Sequence, residues 1–101
     1  MNLEEITVEK VKEAYARTGI EPIRFTFKIW QPETGKITCA CPLTILKLTS
    51  GSDDSWLEDQ EIAFIHGIDE TSSYHGPHQD WYQRGKEIAA AIFGDKIVSV
   101  G

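Results

Sequence analysis

Two thiols one residue apart, Cys39 and Cys41, and three imidazoles, His66, His75 and His78, are the side chains best suited to hold a metal or attack a substrate. Thiolate and neutral imidazole are both zinc ligands. Cys39, Cys41, His75 and His78 would supply the four that a closed tetrahedral site takes. Their spacing departs from the usual frame, because Cys-x-Cys is tighter than C-x₂₋₄-C and His-x-x-His falls short of H-x₃₋₅-H. A second set, His66, Asp69, His75, His78 and Asp80, mixes the nitrogen and oxygen donors that several divalent ions accept, without an H-E-x-x-H helix. Two core thiols and three solvated loop histidines explain the same residues more simply, since cysteine is among the most buried residue types. No cofactor is expected.

Cys41 also precedes Pro42, a residue that suits the first position of a helix. A thiol at a helix N-terminus is pulled toward thiolate by the dipole. A nucleophile further requires a base and a pocket, and the sequence places no histidine beside Cys41. The chain has no nucleophile elbow, no Gly-rich phosphate loop and no EF-hand loop. The thiol reads as a buried structural group, and the protein as non-enzymatic.

Charge is sorted along the chain. From Leu48 to Gln83 there is no lysine or arginine, yet Asp53, Asp54, Glu58, Asp59, Glu61, Asp69, Glu70 and Asp80 fall there, as do all the histidines. The ten basic residues lie outside with the other eight acids, so the window is about −8 and the flanks about +2. Such a middle section favours a basic partner and disfavours phosphate backbones. The net charge of −6 argues against non-specific nucleic-acid binding. Arg24, Lys28, Lys36 and Lys47 are the residues a basic stripe would need. The binding surface is expected at Asp53, Asp54, Glu58, Asp59, Glu61, Asp69 and Glu70.

These residues need elements to carry them. Residues 7–18 form an amphipathic helix: Thr7 is its N-cap, Ile6 and Val11 make a hydrophobic staple, and Gly19 follows as its stop. Arg24 to Trp30 switches to period two, with Phe25, Phe27 and Ile29 on one side and Trp30 on the other. Gln31 to Gly35 is turn chemistry, and Lys36 to Cys41 resumes the alternation, which predicts a β-hairpin whose apolar face lies under a helix. A short buried helix follows from Pro42 to near Gly51. A third is expected over Trp56–Ile65, capped from Ser52–Ser55 and stopped by His66-Gly67. After a loop over Ile68–Gly76, Pro77–Phe93 carries the strongest helical stripe, including Trp81, Tyr82 and Ile88. Gly85 lies within that stripe and marks a close helix contact. Tyr74, Trp81 and Tyr82 read as core and rim, and Trp30 as a residue covered by the tail or a helix. Ile97, Val98 and Val100 could add a third strand.

Four stretches taken in order are Ala14–Pro22, Cys39-Ala40-Cys41-Pro42-Leu43, Gly67-Ile68-Asp69, and Tyr82–Lys86 with its Phe93-Gly94 ending. Together they resemble small bacterial proteins of about this length that have no assigned activity. The resemblance implies a helix-plus-hairpin domain and transfers no catalytic residue.

At 101 residues the chain fits one domain, 1–101. The expected fold class is α+β, with three or four helices packed on a small antiparallel β-hairpin. The start, Met1 to Glu5, has no basic and apolar leader, no apolar run is long enough to span a membrane, and Cys-x-Cys suits a reducing compartment. A cytoplasmic module with an unidentified basic protein partner is expected, with no nucleic acid and no membrane. Homo-oligomerisation is left open.

Overall fold

Thr7 and Gly19 bound the first helix as their chemistry requires. The computed structural model describes residues 2–52, 55–69 and 74–94. In it α1 runs Val8–Thr18, Thr7 Oγ1 accepts from the Lys10 N–H at 3.1 Å, and Gly19 closes the helix at φ 73°. Ile6 and Val11 are fully buried, as a staple demands. A 3₁₀ turn, Leu3–Glu5, precedes them. It is tied to the far end of the chain by Arg84, whose Nη1 donates to the carbonyls of Ile6 and Leu3 at 2.6 and 3.2 Å.

The sheet is mixed rather than a plain antiparallel hairpin. Its strands β1 (Glu21–Pro22), β2 (Lys28–Trp30) and β3 (Ile37–Ala40) stand in the order β1-β3-β2. β2 and β3 pair antiparallel across the Gln31–Lys36 turn, with a register irregularity at Ile29/Trp30, while β1 pairs parallel on the other side of β3. Ala40 is therefore opposite Pro22 on one side and Lys28 on the other. The chain between them must travel round the end of β3, and residues 23–27 do so as a loop instead of continuing a strand. Phe25 turns the corner at φ 72°. The expected in-facing row of Phe25, Phe27 and Ile29 is exposed. The strand expected from the tail, Ile97–Val100, lies outside the described residues.

α2 (Pro42–Ser50) starts on Pro42 and ends at Gly51 in a left-handed conformation, with Leu43, Ile45 and Leu46 buried. α3 spans Asp59–Asp69, later than expected at both ends. Its start is set by Glu61, whose Oε1 accepts the Glu58 N–H at 3.0 Å, the reciprocal half of a capping box. Its expected stop, Gly67, lies inside the helix and faces α4 (Gln79–Phe93). A methyl carbon built on Gly67 would collide with the Tyr82 carbonyl, and one on Gly85 with the Phe64 carbonyl. The two helices thus touch backbone to backbone, and that contact excludes any larger residue from either site. α4 begins after His78, not at Pro77.

Phe64, Ile68 and Ile88 of this helix pair join Ile6, Val11 and Ile45 in one core. Tyr15 adds a buried hydrogen bond, donating its hydroxyl to the Ala40 carbonyl at 2.7 Å. Among the described residues no helix is long and apolar enough to cross a membrane.

Candidate interaction surface

Cys41 is buried and serves as the N-cap of α2. Its Sγ accepts the Thr44 N–H at 3.5 Å and is 3.3 Å from the Thr44 hydroxyl. Burial raises the thiol pKa above its ordinary value, and the hydrogen bonds from Thr44 and Leu43 only partly oppose that. Desolvation, which penalises the thiolate, therefore outweighs the helix dipole, in keeping with the reading of Cys41 as a buried structural group. Cys39 is half-buried, while His75 and His78 are exposed before α4. His66 stacks on Tyr74 with ring centroids 5.0 Å apart. Among the described residues, no three His, Cys, Asp or Glu side chains gather in a way that could hold a metal ion.

The acidic residues separate into two kinds. Glu61 is 1% exposed, and its Oε1 accepts from Lys47 Nζ at 2.8 Å; Lys47 is itself 5% exposed and also donates to the Trp56 carbonyl at 3.1 Å. Glu61 is therefore an internal tie, not a contact residue. The same pairing removes Lys47 from any basic stripe. Breaking one side of such a pair strands a buried charge, at a cost of about 3–5 kcal/mol. Glu58, Asp59 and Asp69 remain outside the core, Glu58 accepting from Gln60 Nε2 at 2.7 Å. Asp53, Asp54 and Glu70 lie outside the described residues.

What the sequence reading did not foresee is an aromatic surface beside those acids. Phe25 is 70% exposed, Trp56 58% and Phe27 48%. They surround two small clefts of about 80 Å³ each, and Phe27 lines both. One cleft lies between the 23–27 loop and α3, with Phe25, Phe27, Ile65 and Asp69 around Cys41. The other lies between Phe27, Trp56, Leu57, Leu43 and the Lys47 stem. On α3, Ile65 and Asp69 line the first cleft, and Ile62, three residues before Ile65 and exposed, lies on the same helical stripe. The lining of the two clefts is mostly apolar, and Asp69 is its one acid among the described residues.

Local structure holds it there. The Arg24 Nη2 donates to the Ile68 carbonyl, the Phe25 N–H to Asp69 Oδ1 at 3.1 Å, and the Cys41 N–H to the Phe27 carbonyl at 2.9 Å. The Lys47 bond to Trp56 fixes the other side. Left-handed backbone at a residue with a side chain costs on the order of 1–2 kcal/mol, so these bonds hold Phe25 against an intrinsic preference. An alternation count cannot show this; the exposed row becomes visible only when the sheet order is known.

A larger cleft, of about 500 Å³, lies between α1 and α2. Lys10 and Arg17 interleave there with Glu5 and Glu13, and the Thr49 and Ser50 hydroxyls donate to carbonyls of their own helix. It presents no convergent charge. Trp30 is also exposed, on β2. Trp81 and Tyr82 are core residues, as expected. Compared with known protein families, characterised proteins and solved structures, the chain matches none.

Proposed function

We propose that this protein is a small, non-enzymatic interaction module that presents an acid-bordered aromatic face to a partner protein with a basic surface. The observation that supports the reading is the placement of Phe25, Phe27 and Trp56 around two adjoining clefts, with Asp69 lining one of them and Glu58 and Asp59 next in the chain after Leu57, which lines the other. Exposed aromatic clusters with a polar rim are the composition of protein-binding patches. The acids add direction. They draw in a positive partner and repel a second copy of this chain or an anionic surface.

The partner class is therefore a protein segment with aliphatic side chains on one face and lysine or arginine on the other. A short leucine–lysine amphipathic peptide reproduces that chemistry, and a leucine–glutamate peptide reverses it. The lysine peptide binds and the glutamate peptide does not. Changing Glu58→Lys together with Asp59→Lys weakens the lysine peptide about tenfold, roughly 1.4 kcal/mol, while circular dichroism stays that of the wild type. Unchanged affinity in a folded double variant removes the charge argument.

A further inference from the structure

Phe25 is the most exposed large apolar side chain among the described residues, and it occupies left-handed backbone that favours glycine. A free-standing phenylalanine gains nothing from either condition. Exposure forgoes the stabilisation that burial of a ring would provide. The bonds that hold the corner come mostly from the main chain and from Arg24. The Phe25 N–H meets Asp69 Oδ1, and Arg24 reaches the Ile68 carbonyl while its guanidinium lies 4.6 Å from the Phe93 ring centroid. The same guanidinium lies 5.5 Å from the Phe25 ring centroid, and the ring lines the cleft with Cys41 and Ile65. A glycine would make the same corner with less strain.

We propose that Phe25 serves recognition: its ring is the side wall of the Cys41–Ile65 cleft and packs against an aliphatic side chain of a basic amphipathic segment. The inference rests on the interaction-module reading and assigns the anchor within that surface. The cleft floor is apolar, and Asp69 stands on its rim to meet the cation carried beside the inserted side chain. A second copy of the chain would bring its own Asp69 to the same rim. Like charges would then face one another, so the occupant is a basic protein segment rather than a symmetry mate.

Ordinary core residues and binding anchors respond oppositely to truncation. Phe25→Gly relieves the strained backbone and removes the ring, so the midpoint of thermal unfolding stays level or rises while affinity for the leucine–lysine peptide falls at least tenfold. Phe25→Tyr keeps the ring and leaves both readouts near wild type. A lowered midpoint in Phe25→Gly shows that the ring is structural, and wild-type affinity shows that it is not the anchor; either overturns the inference while the interaction reading stands. A wild-type protein that ignores the peptide overturns both. Self-association lost in Phe25→Gly, with no peptide binding, assigns the ring to a second copy and overturns the basic occupant.

Discussion

Cys41 caps a helix with sulfur and stays protonated while doing so. Burial raises its thiol, and burial also raises the Tyr15 phenol, which donates to the Ala40 carbonyl. Both groups are neutral in the folded protein and would ionise more readily once unfolded, from ordinary values of 9.0 and 10.0. A raised folded pKa gives stability that is complete below the unfolded value and lost as pH climbs above it. Urea melts should therefore show stability falling above about pH 9, by about 1.4 kcal/mol per unit for each group that has begun to titrate in the unfolded chain. Cys41→Ser keeps an N-cap oxygen and loses the thiol, so its decline begins later, where tyrosine titrates. A Cys41→Ser variant whose alkaline decline matches the wild type contradicts the assignment. At this scale the sequence was partly legible. Thr7, Gly19, Pro42 and Gly51 each specify a helix end through local chemistry, and each does so in the structure. The burial of Cys41 was legible from the residue type, but how far it outweighs the helix dipole was not, since the dipole is local and the burial comes from distant residues.

The crossing of α3 and α4 depends on two glycines that occur in quite different sequence contexts. Gly85 sits in the middle of an apolar stripe, where a residue that weakens a helix implies a close contact, and that reading holds. Gly67 follows His66 like a stop signal, yet the helix continues to Asp69 because packing against α4 rewards it. In an open helical site, glycine to alanine stabilises by about 1 kcal/mol. Here the added carbon meets the Tyr82 carbonyl, which cannot rotate away, so Gly67→Ala should destabilise by about 3 kcal/mol in chemical denaturation. The sign alone discriminates; a more stable Gly67→Ala would mean the helices do not approach this closely. The 24–30 alternation fails for a related reason. Period two is a property of the residues, but a strand also requires a neighbour, and the parallel pairing of β1 with β3 routes the chain round a corner first.

Across the whole molecule, the sorting of charge along the chain does not translate simply into an anionic face. Glu61 is spent inside on Lys47, so one acid of the window and one base of the flanks neutralise each other in the core. Sequence shows the sign of each segment and not which carboxylate turns inward. Asp69 lines an apolar surface built from the 23–27 loop, Trp56 and Ile65 of α3, while Glu58 and Asp59 follow Leu57 at the start of that helix. That surface is a product of topology: a loop wrapped round the end of β3, a buried lysine holding the Trp56 backbone, and a helix whose outward row is isoleucine between acids. The most direct measurement is a ¹⁵N-resolved titration of the folded protein with the leucine–lysine peptide. Shifts concentrated at Phe25, Phe27, Trp56, Ile62, Ile65 and Asp69 are the expected result. Shifts gathered instead at Lys10, Arg17 and Ser50 between α1 and α2, or none at saturating peptide, would contradict it.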